Sequence, residues 1–227
     1  MVFHPLNRPV WNALTTRQAH LAQGDGRTLR FHPDYGLFAA GIDGGNLLAL
    51  IPSGGGVALV EAQDAPPPPG TAVMQHAILN QMIATAITPG DMTFEVVPLG
   101  DGDGAEMLAL ATLTEPGPFF RRTHQLGDFI GVKQGGKLVA MAGERMKLVD
   151  AFLGGFTEVS GVCTHPEHRG RGYAGGLMRI VAQRILARGE TPFLHVYAHN
   201  AGAIALYEAL GFRRRATMHM TVLGRLS

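Results

Sequence analysis

An apolar run at 156–164 is followed by Arg169-Gly170-Arg171-Gly172-Tyr173-Ala174, and this loop opens directly into an amphipathic run from Tyr173 to Arg188. No other stretch limits the fold as much. Ala174, Leu177, Val181 and Ile185 recur at three- and four-residue spacing, Arg179, Gln183 and Arg188 supply polar positions, and Gly189 ends the pattern, as in an amphipathic helix. A helix start carries unsatisfied N–H groups and partial positive charge, so it attracts phosphate oxygens. Glycines let the backbone approach a diphosphate closely and tolerate positive φ, and the two arginines add bidentate donors. The formal net charge is only +1, so an anion would have to be held locally, here.

Around this unit the chain alternates between strand and helix patterns. Upstream, Phe94–Leu99 is a strand candidate, and Asp101-Gly102-Asp103-Gly104 opens a helix near Ala105–Leu113. Phe129–Lys133 and Leu138–Leu148 flank Gln134-Gly135-Gly136-Lys137, a hairpin turn, and Phe156–Thr164 is a third strand. Downstream, Phe193–Ala198 reads as a strand, Asn200 as the N-cap of a helix over Ala201–Leu210 with Gly211 at its C-terminal stop, and Arg214–Leu223 as a last strand. The order is strand, helix, three strands, helix, strand, helix, strand: an α/β domain over residues 92–227. Residues 1–91 form a smaller α/β region of open role. It has a helix starting at Asn7 and Pro9, with Val10, Leu14 and Leu21 as its apolar face and Gly24 as its stop, strand candidates at Gly36–Ile42, Asn46–Ile51 and Val57–Ala62, a stiff Pro66–Gly70 connector and a helix around Met74–Ala86.

Two segments flank the loop with equal specificity. Glu158-Val159-Ser160-Gly161-Val162-Cys163-Thr164 leads into R-x-x-G-x-A at Arg169, Gly172 and Ala174. Some 30 residues on comes Asn200-Ala201-Gly202-Ala203-Ile204-Ala205-Leu206-Tyr207-Glu208-Ala209-Leu210-Gly211-Phe212. Together they resemble the GNAT superfamily of N-acetyltransferases, over about residues 92–227. The resemblance implies a mixed, mostly antiparallel sheet flanked by helices; residues 1–91 do not match it, and only their own strand-strand-strand-helix order makes them a candidate degenerate half. It implies acetyl-CoA as acetyl donor, coenzyme A as product, and direct attack by an amine in a ternary complex. The competing pattern is G-x-G-x-x-G at Gly170, Gly172 and Gly175, the dinucleotide fingerprint. Five residues, His165 to Arg169, separate strand from loop here, and the acidic Glu190 precedes the next strand instead of ending it, so that pattern fits less well.

The resemblance also distributes roles. Backbone groups of Val162, Cys163 and Thr164 are expected along the pantetheine arm, with Arg169, Gly170, Arg171, Gly172, Tyr173 and Ala174 on the diphosphate. Asn200 matches a cofactor-contacting asparagine, a role compatible with N-capping. Tyr207 occupies the place of the general acid; the competing role is a helix residue packed beside Ile204. Glu158 matches a general-base glutamate, or else a strand carboxylate that helps recognise the substrate. A non-catalytic acyl-CoA-binding module is the alternative from another class, and retention of both Glu158 and Tyr207 favours the enzyme.

Other features narrow the partners. One cysteine, Cys163, excludes an intrachain disulfide and a cysteine-built zinc site. Inside a strand without an adjacent base it is a poor nucleophile. His165, His168, His195 and His199 show no ligand spacing, so no metal is expected from them. Arg213–Arg215 reads as a solvated patch. Glu144 and Arg145 interrupt an apolar strand and face either the acceptor or the open side of the sheet. The start Met1–Arg8 lacks a basic-then-apolar signal, and no run reaches the about 18 apolar residues of a membrane helix. The expectation is a cytoplasmic protein with a small-molecule or peptide amine acceptor, no nucleic-acid or membrane partner, and a homodimer left open.

Overall fold

A computed structural model describes residues 4–42 and 45–226. Met1–Phe3 of the N-terminal segment lie outside them. The N-terminal elements are α1 (Pro9–Thr15), β1 (Ala22–Gly24), β2 (Thr28–Phe31), β3 (Ala39–Gly41), β4 (Val57–Glu61) and β5 (Thr71–Ile83). Then come β6 (Val97–Leu99), α2 (Gly104–Thr114), β7 (Phe129–Gln134), β8 (Lys137–Asp150) and β9 (Gly154–Thr164). The chain ends with α3 (Tyr173–Ala187), β10 (Thr191–Tyr197), α4 (Ala201–Ala209) and β11 (Arg213–Arg225). From β6 onward this is the order expected from sequence.

Eight strands form one sheet in the order β4-β11-β5-β10-β9-β8-β7-β6, and β1-β2-β3 make a small separate sheet. All neighbours in the large sheet are antiparallel except β9 and β10. The division expected near residue 91 falls in a loop, and strands from both sides of it share this sheet.

Alternation along the central strands separates two layers. Leu194 and Val196 of β10 and Ala140 and Ala142 of β8 pack with Leu177, Val181 and Ile185 of α3. Phe193 packs instead with Val10 and Leu14 of α1, and Met141 with Met107 and Leu110 of α2. Successive side chains of a strand point to opposite faces, so α3 covers one face while α1 and α2 sit on the other.

Three expectations for the N-terminal region fail. The first helix, expected to run to Gly24, stops at Thr15, because Ala22–Gly24 pair with β2 as a strand. Residues 74–86 do not form a helix; they lie largely in β5, a 13-residue strand. Met74, Ala77, Ile78 and Met82 mimic a helical stripe, but β5 lies between β11 and β10 and hydrogen-bonds to both. Pairing on two edges outweighs intrinsic helix propensity. Residues 46–51 are a short 3₁₀ turn at Leu47–Leu50, not a strand. The unbranched Leu-Leu-Ala-Leu sequence tolerates that tight turn.

Candidate active site

The parallel pairing of β9 and β10 is short. It joins Phe156–Glu158 to Thr191–Phe193. Beyond it β9 continues only against β8, to Cys163 and Thr164, while β10 continues against β5, to Tyr197 opposite Leu79. The two strands therefore diverge, and a break in register near Gly161 (φ +63°) bends β9 further. Phe129 stands 2.8 Å from where a Cβ would be at Gly161, so the position is closed to a side chain as well as being left-handed.

At the end of β9 the chain turns through Pro166–His168 and the arginine–glycine loop into α3. Gly170 and Gly172 both have positive φ, 77° and 76°. Gly172 is the N-cap residue and supplies no side-chain cap, which leaves the first-turn N–H groups of α3 open to a ligand. Tyr173 turns inward and sets its ring edge-on to Phe94, with centroids 4.9 Å apart, anchoring the helix start.

A cleft of about 670 Å³ lies between this loop, the end of β9 and α4. Val162, Cys163, Thr164, Arg169, Gly170, Arg171, Gly172, Tyr173, Ala174 and Tyr207 all line it. Ten of the twelve residues expected at the site thus meet in one place, with Thr114, His168, Gly202, Ala203 and Leu206 as further lining. Among the described residues that line it are two arginines and no carboxylate. Thr164 Oγ1 and His168 Nδ1 are buried there without a hydrogen-bond partner among the described residues, donors and acceptors left over for a ligand. No sequence signal marked His168; the fold of the loop brings it in.

Tyr207, on α4, is mostly buried against Phe212, and burial raises its hydroxyl pKa above the usual phenol value. It stays protonated at neutral pH and has a proton to give. Asn200 lies at the start of α4, where its Oδ1 accepts from the Ala203 N–H at 3.1 Å; its side chain is a cap and does not line the cleft.

Glu158 also stands apart from the cleft. It is buried where β9 and β10 part company, 1% exposed, and its two oxygens each accept a 2.8 Å bond from the guanidinium of Arg145. Burial alone would push this carboxyl up; Arg145 and then His195 outweigh it and hold the pKa down at about 2. His195 Nδ1 lies 2.8 Å from Glu158 and its Nε2 lies 2.9 Å from Gln81 Nε2. Arg215 donates to Gln81 Oε1, which fixes the amide orientation, and Gln81 Nε2 also donates to Leu6 O. His195 therefore accepts at Nε2 and donates from Nδ1 to Glu158, with both nitrogens engaged. Gln81, His195, Glu158 and Arg145 come from four strands, so sequence spacing could not assemble them.

Glu144 and Arg145 both turn to intramolecular partners. Glu144 is buried and meets Arg188 and Lys147, each at 2.7 Å, while Arg145 lies over the Phe38 ring at 4.6 Å. Cys163 is buried and its thiol is pushed up to about 11. A thiol that stays protonated at neutral pH is a poor nucleophile. Cys163→Ala should therefore keep at least about half of wild-type turnover in a steady-state assay, and iodoacetamide should not inactivate the folded protein; loss of turnover would revive a covalent route.

The geometry has counterparts among known proteins. Residues 129–221 match the family model of FR47-like proteins. Over 99% of its length the chain superimposes on the whole of an acetyltransferase described as of the GNAT family from Novosphingobium aromaticivorans, at 47% identity and a TM-score of 0.92. A GCN5-related N-acetyltransferase from Kribbella flavida shares the fold at 17% identity, with a TM-score of 0.58 over 95% of this chain and 92% of that one. The N-alpha-acetyltransferase RimI of Mycobacterium tuberculosis is 34% identical over 87 residues, 38% of this chain and 52% of that protein. The match thus spans about half the length of that curated relative.

Proposed function

Because this chain belongs to the GNAT family of acetyltransferases, we propose that it moves an acetyl group from acetyl-CoA to a primary amine by direct attack in a ternary complex. One observation carries this: an uncapped helix start with its arginine–glycine loop, the diverging end of β9 and the protonated Tyr207 all border a single cleft. The first-turn N–H groups of α3, with Arg169 and Arg171, suit the diphosphate. The backbone of Val162–Thr164 suits the pantetheine arm, and an N–H there would polarise the thioester carbonyl. The amine nitrogen attacks the carbonyl carbon, the carbon–sulfur bond breaks, and Tyr207 gives its proton to the departing sulfur; the attacking nitrogen sheds its surplus proton to water, from which Tyr207 is reprotonated.

The base is the part of the expected mechanism that we revise. A carboxylate near 2, doubly bonded to Arg145 and away from the cleft, accepts protons poorly at neutral pH. We assign Glu158 to positioning: it ties β8, β9 and β10 together at the point where β9 and β10 diverge. Because Gln81 and Leu6 close the same network, residues 1–91 belong to the acetyltransferase unit in this reading, not to a separate partner-binding surface.

Without a carboxylate base in the cleft, the acceptor must arrive neutral. An α-amine with pKa about 7.7–8.0 is roughly a tenth or more neutral at pH 7, whereas a lysine amine near 10.4 is under about 0.1% neutral. We therefore favour an α-amine acceptor, the group named in the N-alpha-acetyltransferase that this chain resembles. Thiol release from acetyl-CoA tests this with two peptides, one with a free N-terminus and no lysine, the other N-blocked with one lysine. The first should show kcat/KM at least about 10-fold higher. Saturable acetyl-CoA binding without turnover on either peptide or on a broad amine panel would instead support a binding module.

A further inference from the structure

Asp64, His76 and His219 converge outside the cleft, at the β4–β11–β5 end of the sheet. His219 on β11 is opposite Ile78 of β5, and His76 on β5 is opposite Thr221. The two histidines are thus diagonal neighbours on adjacent strands, near enough for long side chains to meet. Their rings stack with centroids 5.6 Å apart at 27°, and His219 Nδ1 lies 3.4 Å from His76 Nε2. Asp64 follows β4 by three residues, and its carboxylate oxygens lie 3.8 Å from His76 Nε2 and 3.9 Å from His219 Nδ1.

These separations are long for direct bonding, since N···O hydrogen bonds cluster at about 2.7–3.2 Å. They suit a shared central atom better. Ligand bonds of about 2.0–2.1 Å around a tetrahedral centre put donor atoms roughly 3.4 Å apart. All three potential ligand atoms already lie within 4.8 Å of one another, and Asp64 and His76 are exposed, so a hydrated ion can enter without the core opening. Two imidazoles and one carboxylate form a donor set for zinc and similar borderline divalent ions, in preference to magnesium or calcium, which take mostly oxygen ligands.

We propose that Asp64, His76 and His219 form a divalent transition-metal site of the zinc class. At least one coordination position faces solvent. Binding would clamp the segment leading into Pro66–Pro69 onto β5 and β11. The site shares no residue with the acetyl-transfer cleft, so its occupancy and turnover can be measured independently.

Calorimetric titration of the chelator-treated full chain with zinc chloride alone tests the site. The expected result is one ion bound per chain, with affinity reduced at least about 10-fold in His76→Gln and in His219→Gln and unchanged in His20→Gln. The metal should raise the thermal midpoint of the wild-type chain and of His20→Gln but not of the other two. Both ligand substitutions are on the sheet surface, so an unchanged midpoint without metal shows that folding is intact. Absence of stoichiometric binding, or binding that survives either His76→Gln or His219→Gln at wild-type affinity, overturns the proposal.

Discussion

Tyr207→Phe should lower kcat for acetyl transfer by about 10²–10⁴ while the KM for acetyl-CoA stays within a few-fold of wild type. The ring is kept, so its contact with Phe212 and the shape of the cleft wall persist. On the proposed mechanism, what goes is the proton that Tyr207 gives to the departing sulfur. A thiolate with a pKa near 8.5 is not so poor a leaving group that water cannot replace the acid in part, which sets the lower end of the range. Because burial lifts the Tyr207 pKa above the phenol value, any Tyr207-dependent basic fall in wild-type kcat should have its midpoint above about pH 10. Steady-state kinetics from pH 6 to 10 on both proteins provides the check. A near-wild-type kcat in Tyr207→Phe would reduce Tyr207 to a packing residue of α4.

Arg145→Met should destabilise the fold by about 3–5 kcal/mol at pH 7, the usual result of leaving a buried charge without its partner. Methionine keeps the aliphatic stem, while the guanidinium that lies over the Phe38 ring goes with the charge, so the loss is electrostatic more than steric. The dependence on pH has a definite sign. Glu158 has its pKa lowered in the folded chain from the ordinary 4.5 to about 2, so its contribution is fully present above about pH 4.5 and disappears as pH falls toward 2. In the variant burial dominates and the Glu158 pKa rises, so the carboxyl protonates earlier and the gap to wild type narrows on acidification. Adding Glu158→Gln should recover more than half of the loss, because the orphaned charge is gone. Urea unfolding of wild type, both single variants and the double variant at pH 5 and 7 measures this coupling. Losses that simply add in the double variant would mean that Arg145 and Glu158 do not act as a pair.

The cleft was more legible in the sequence than the sheet that carries it. Arg169, Gly172 and Ala174 sit at fixed spacing because a helix start is a local object: its N–H groups, its cap and its positive-φ glycines all lie within a few residues. The same holds for Asn200 as the cap of α4 and for the hairpin between β7 and β8. Glu158 was visible as an acidic residue in an apolar strand, but its neighbours were not. Arg145 is 13 residues away and Gln81 is 77, and their meeting depends on how β5 inserts between β10 and β11.

The stretch 74–86 shows why that insertion was hidden. Its apolar spacing suits a helix, and only the two partner strands, more than 100 residues downstream, convert it to β5. Asp64, His76 and His219 depend on the same pairing, since no spacing along the chain relates residue 76 to residue 219. The sequence by itself determined the uncapped helix start and its arginine–glycine loop, because backbone dipoles and glycine conformations are local. Only the tertiary structure decided that Glu158 is a pinned carboxylate outside the cleft, because burial and the partners that hold its charge are properties of the assembled sheet.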